Sequence, residues 1–198
     1  LTEEGPVLQA SEFAYGLNYL KRPNAIEVDP VSLGLSVKAA VEKKTLYPAG
    51  DLRLFGGIRD AAPDAWGRRV IEAKLKVPVN SLPESDYLLH AGSDRVGALD
   101  VRDSLNAPAQ PGLNHWNSLQ YLMDAAARIE EGLPIPAHLE AIFQAGTALG
   151  GARPKASVRD EQGLLWLAKF SSRGDTFNVP AIEACALNLA REAGLNVP

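Results

Sequence analysis

The chain has 198 residues, 46% hydrophobic and 22% charged, which is enough apolar material for a core without a disulfide staple. Its net charge is −4 and no lysine or arginine stripe runs along it, so a basic nucleic-acid-binding face is excluded; Lys43-Lys44 and Arg68-Arg69 read as solvated pairs. The lone Cys185 forbids an internal disulfide, His90, His115 and His138 give no zinc spacing, and no apolar run approaches the roughly 20 residues of a membrane helix. These features, with no secretory signal pattern, predict a cytoplasmic protein; the chain opens at Leu1 and not at methionine, which allows for residues upstream.

Residues 25–41 carry Ile26, Val28, Val31, Leu33, Leu35 and Val37, and the alternation of the last four predicts a strand. Residues 52–55 predict a short strand or helix end closed by a Gly56-Gly57 turn. Pro63 suits the first turn of a helix on which Trp66, Val70, Ala73 and Lys74 share a face. After the breaks at Pro78 and Pro83, residues 85–91 predict a short helix stopped by Gly92, and 96–101 predict another strand. Residues 106–112, with two prolines and a glycine, read as a linker. Leu119, Leu122, Ala126 and Ile129 then mark a helix ended by Gly132, and Pro134 and Pro136 lead into a second helix carrying Leu139, Ile142 and Phe143.

The last fifty residues carry the chemistry. A small-residue loop over 147–155 ends in Lys155, followed by a strand over 156–159, a turn at Asp160-Glu161-Gln162-Gly163 and a returning strand over 164–170. Asn178 and Pro180 open a helix whose predicted buried face is Ile182, Cys185, Ala186, Leu189 and Ala190, with Gly194 as its stop. Lys169 shares its strand face with Leu165 and Leu167, which predicts a buried ammonium in need of an anion. Glu183 follows 14 residues later on the helix. Glycines let backbone N–H groups approach a polyphosphate, a strand lysine reaches it as a point charge, and a helix carboxylate holds that lysine, as in protein kinases. Each residue alone has a plainer reading: Gly150-Gly151 as a turn, Lys169 as a charge guarding a strand, Glu183 as a carboxylate favoured by the helix dipole, Arg153 and Lys155 as surface residues, and Cys185 as inert core.

In that order the residues resemble HipA-like serine/threonine kinases. Gly150-Gly151-Ala152-Arg153-Pro154-Lys155-Ala156 resembles their phosphate loop, Leu167-Ala168-Lys169-Phe170 their ATP-lysine strand, and Glu183 with Leu189-Ala190 and Gly194-Leu195-Asn196-Val197-Pro198 their next helix and its exit. Residues 55–68, with Pro63-Asp64-Ala65-Trp66-Gly67-Arg68, resemble the family's N-terminal signature, and Asp94-Arg95-Val96-Gly97-Ala98-Leu99 its following strand. The resemblance implies an α+β fold: an N-terminal mixed α/β subdomain (1–106), a helical connection (107–146) and the ATP-binding N-lobe of a protein-kinase-like fold, an antiparallel sheet plus one helix (147–198). It implies ATP and Mg²⁺ as cofactors, with Gly150, Gly151, Ala152, Arg153, Pro154, Lys155 and Lys169 binding nucleotide and Glu183 positioning Lys169. It implies a bacterial toxin–antitoxin setting with a small DNA-binding, HipB-like antitoxin as partner, DNA being reached only through it. The substrate would be a protein hydroxyl; known family targets include an aminoacyl-tRNA synthetase. By the family pattern the catalytic and metal-binding aspartates fall beyond Pro198, so this segment alone is expected to lack phosphotransfer. The family's regulatory loop serine matches Ala148, which makes the adjacent Thr147 the candidate phosphosite. The competing expectations are a non-catalytic antitoxin-binding module or degenerate kinase fragment, and a kinase of small molecules or lipids.

Overall fold

The computed structural model describes residues 1–95, 97–110, 115, 118–144 and 150–197. Among these residues the fold is α+β, with two separate two-stranded antiparallel sheets, seven α-helices and one 3₁₀ helix. No described helix is long and apolar enough to cross a membrane.

The N-terminal part begins with a hairpin, β1 (Thr2–Glu4) and β2 (Val7–Ala10), and continues through short helices α1 (Leu17–Leu20), α2 (Lys38–Val41) and α3 (Gly56–Asp60). These surround a small core of Tyr15, Leu20, Leu33, Leu35 and Phe55. The strand expected over 31–37 is absent. Leu33 and Leu35 do point inward while Val31 and Val37 are exposed, but side chains satisfy the neighbouring backbone. The Tyr15 hydroxyl donates to the Leu33 carbonyl (2.6 Å) and accepts from the Val28 amide (3.0 Å). The Asp29 carboxylate accepts from the amides of Val31 (2.8 Å), Ser32 (3.0 Å) and Gly57 (3.2 Å). A segment whose N–H groups are met this way has less need of a partner strand. Gly56-Gly57 likewise does not close a strand but starts α3, and a Cβ on Gly57 would overlap the Val28 carbonyl oxygen.

Helix α4 (Ala65–Leu75) has Asp64 at its cap, so Pro63 precedes the helix and does not sit in its first turn as expected; the helix buries Trp66 and Val70, whereas Lys74, expected on the same face, is exposed. Helix α5 (Glu84–His90) is followed by Gly92 in the left-handed region at φ 75°. The strand expected over 96–101 is not formed by residues 97–101, and Val96 lies outside the described residues. Here the buried Arg95 guanidinium organises the chain, donating to the carbonyls of Gly92 (2.7 Å), Ala61 (3.0 Å) and Leu88 (2.6 Å). Residues 106–110 of the expected linker have no regular structure, and 111–112 lie outside the described residues.

Helix α6 (Leu119–Glu130) buries Leu122, Ala125, Ala126 and Ile129. The second expected helix is a 3₁₀ helix, Ala137–Gln144, whose three-residue period turns both Leu139 and Ile142 inward. Strands β3 (Lys155–Arg159) and β4 (Leu165–Lys169) form the expected hairpin. In its turn the Asp160 carboxylate accepts from the Gln162 amide (3.0 Å), the Leu164 amide (2.8 Å) and the Trp166 indole (2.7 Å), the last contact doing most to hold the carboxyl below its ordinary range. Helix α7 (Val179–Glu192) is capped by Asn178, whose side chain accepts from the Ala181 amide (3.0 Å).

The main core joins Trp66 and Val70 of α4, Leu122, Ala125, Ala126 and Ile129 of α6, Leu139 and Ile142, Ala156 and Val158 of β3, and Phe170. It therefore draws on all three segments into which the sequence divides. It also reverses the expected orientation of the hairpin. Ala156 and Val158, with Ala168 beside them, face the core, while Leu165 and Leu167 on the Lys169 side are about half-exposed (49% and 48%). The expected buried face of α7 is open as well: Ile182, Cys185, Ala186 and Leu189 are exposed, so Cys185 is not a core residue. The reason is that α7 packs extensively against no other described element.

Candidate functional site

The hairpin register sets Lys155 opposite Lys169. Directly opposed residues of an antiparallel pair project from the same face, and like charges there repel. Both ammoniums are held in place. The Lys169 Nζ pairs with Glu183 Oε1 on the first turns of α7. The Lys155 Nζ donates to the Gly150 carbonyl. Burial pushes Lys155 below the usual lysine range, and the charge of Lys169 adds to this while Asp64 opposes it.

The glycines complete the cluster. Gly151 has φ +100°, and a Cβ there would lie 2.7 Å from the Lys155 Nζ. A Cβ on Gly150 would lie 3.2 Å from Asp64 Oδ2. The loop is fastened to the start of α4: the Gly151 amide donates to Asp64 Oδ2, the Trp66 amide to the Gly151 carbonyl (3.4 Å), and the Trp66 indole to the Lys155 carbonyl (2.8 Å). Farther along the strand, Arg159 makes a two-pronged contact to Asp94 at 3.0 Å, tying the hairpin to the segment after α5.

Of the residues the sequence nominates, Gly150, Gly151, Lys155, Lys169 and Glu183 come together. Ala152 is exposed beside them. Arg153 turns away to pair with Asp175, whose carboxyl it holds, with the Ser172 amide, below the ordinary range. The Pro154 side chain is buried, and its carbonyl accepts from the Phe170 amide (3.0 Å). Thr147 lies outside the described residues. The setting of the ion pair differs from expectation: Lys169 and Glu183 side chains are 45% and 41% exposed, so the pair stands at the surface and not inside an apolar cleft. Such pairs contribute about 0–1 kcal/mol.

Sequence reasoning missed the part played by Asp64. The residue stands in a stretch already singled out, but the signal that would assign it, a carboxylate reaching a loop 87 positions away, is not written locally. Chemically, two ammoniums on one face beside two glycines, one with a free choice of backbone angle, suit an anion with several oxygens. Among the described residues no group of three or more His, Cys, Asp or Glu is placed to hold a metal ion. Comparisons with protein-family models, curated proteins and solved structures find no match for this chain.

Proposed function

We propose that the chain binds the phosphates of ATP at Gly150, Gly151, Lys155 and Lys169, as the nucleotide-binding portion of a HipA-like protein serine/threonine kinase. One observation carries the reading: Lys155 and Lys169 are in register on one strand face beside the glycines, with Glu183 on the second ammonium. A two-stranded sheet with one long following helix is compatible with the N-lobe of such a kinase. In this reading Glu183 positions Lys169, Lys155 and Lys169 neutralise phosphate oxygens, and the Gly151 amide donates to one of them. The fit is to a polyphosphate; Mg²⁺ finds no ligand set among the described residues and is assigned none. The protein substrate, the HipB-like antitoxin and phosphotransfer belong to this proposal at the level of the whole kinase.

The test is a titration of the chain with ATP. Lys169→Met is expected to weaken binding by about tenfold or more, the scale of one charge-assisted contact. Equal affinity of both forms sinks the reading. For kinase activity of a longer chain, label from ATP must appear on protein and not on a small molecule or lipid.

One observation favours an interaction module instead. Leu165, Trp166 and Leu167 of β4 and Ile182 and Leu189 of α7 are all exposed, more apolar surface than isolated residues explain. A non-catalytic antitoxin-binding role predicts partner binding that survives Lys169→Met.

A further inference from the structure

We infer that Asp64 is a built-in competitor for the anion site, a carboxylate that occupies the glycine loop until a phosphate displaces it; this rests on the reading that the loop receives phosphate.

Asp64 is the residue immediately before the first turn of α4, where an aspartate ordinarily accepts from amides of its own helix. It makes no such bond. Its Oδ2 accepts instead from the Gly151 amide, and it lies 3.2 Å from where a Cβ on Gly150 would stand. The carboxylate thus covers the backbone that a phosphate oxygen needs. Two anions on one amide repel, so an incoming phosphate has to move Asp64 aside.

The charges fit an exchange of occupants. Lys155 and Lys169 with Asp64 and Glu183 sum to zero, and Asp64 is the group that offsets the repulsion of Lys169 at Lys155. A phosphate supplies the same offset with more charge. A displaced carboxylate also has a place to go. A cavity of about 780 Å³ opens along α4, lined by Asp64, Arg68 and Arg69. Of the arginines lining it, Arg68 is already paired with Glu84 and Arg59 with Asp60, which leaves the Arg69 guanidinium to receive it.

Displacement would not stay local. Trp66, two residues on, holds the Gly151 carbonyl through its amide and the Lys155 carbonyl through its indole, and it is 2% exposed in the main core. Occupancy of the loop is therefore linked to the seating of α4, and by reciprocity anything that draws Asp64 away from Gly151 raises the affinity for the anion.

The experiment is calorimetric titration of the 198-residue chain with two probes, ATP and inorganic tripolyphosphate, on the parent, Asp64→Asn and Asp64→Ala. Asparagine keeps the shape and an oxygen able to accept from the Gly151 amide while losing the charge, so Asp64→Asn carries the test if the alanine variant does not fold. Both variants are expected to bind both probes about tenfold more tightly, the scale of removing one charge-assisted competitor. Unchanged or weaker binding in the variants overturns the inference, since a purely structural Asp64 would loosen the loop when replaced. If tripolyphosphate binding tightens and ATP gains nothing over it in any form, the competition stands and the nucleotide reading falls. If no form binds either probe, both fall.

Discussion

Lys155 faces Lys169 across the β3–β4 pair, ammonium opposite ammonium on one side of the hairpin. A fold gains nothing from that juxtaposition unless anions offset it, and Glu183 at Lys169 and Asp64 near Lys155 are the carboxylates that do so here. Lys169→Met removes the repulsion and also the half-exposed pair with Glu183, and both effects are below about 1 kcal/mol. Its expected effect on unfolding free energy is therefore within about 0.5 kcal/mol, measured by urea denaturation at low and high salt. A loss above about 2 kcal/mol would make the pair a structural one.

Gly57 should not tolerate a side chain. A Cβ there meets the Val28 backbone, which cannot swing away as a side chain could. Gly57→Ala is expected to cost about 2–4 kcal/mol by chemical denaturation. Gly16→Ala, at a site with nothing within 4 Å, is the control and should change stability by less than about 1 kcal/mol.

Asp29 should make the protein acid-sensitive. The amides of Ser32, Val31 and Gly57 hold its carboxyl below the ordinary range against the opposing effect of burial. A carboxyl with a depressed native pKa binds fewer protons when folded. Its contribution is complete above the unfolded value of about 3.9 and is lost as the pH falls through the native value. Stability measured across the acid range should fall less steeply in Asp29→Asn, which starts from a lower plateau at neutral pH. Parallel profiles for the two forms would remove Asp29 as the cause.

Tyr87 presents the opposite sign. Burial first, then the hydrogen bond to Glu72 and its charge, push the phenol up to about 12. The hydroxyl donates to Glu72 Oε1 at 2.5 Å, and Arg68 stacks over the ring at 4.3 Å. Because the folded state retains this proton longer, the associated stability is present below the unfolded value of about 10 and is lost as the pH rises through about 12. Ultraviolet titration of Glu72→Gln should show one phenol ionising at lower pH than in the parent. No change in that titration would leave burial as the whole cause.

The elements that could be read along the chain are those with local signals. Pro63 before α4, the spacing of Leu122, Ala126 and Ile129 in α6, the Asp160–Gly163 turn and the Asn178 cap all act within a few residues of themselves. The strand expected over 31–37 failed for a physical reason: alternation reports which residues face inward, not what satisfies their backbone, and the side chains of Asp29 and Tyr15 took that part. The hairpin's orientation was misjudged because the large residues Leu165 and Leu167 sit on the Lys169 side, whereas the core is filled from β3 by Ala156 and Val158.

Order and spacing along the chain were enough to bring Lys169 to Glu183, since a strand, a short loop and a capped helix leave a local geometry little freedom. They were not enough to say that this pair stands in solvent, or that Asp64 closes over Gly151. Those outcomes depend on α4 and α6 packing against the hairpin from far away in the sequence, and packing between distant segments is decided by which surfaces fill one another's space, a property no short stretch of residues carries.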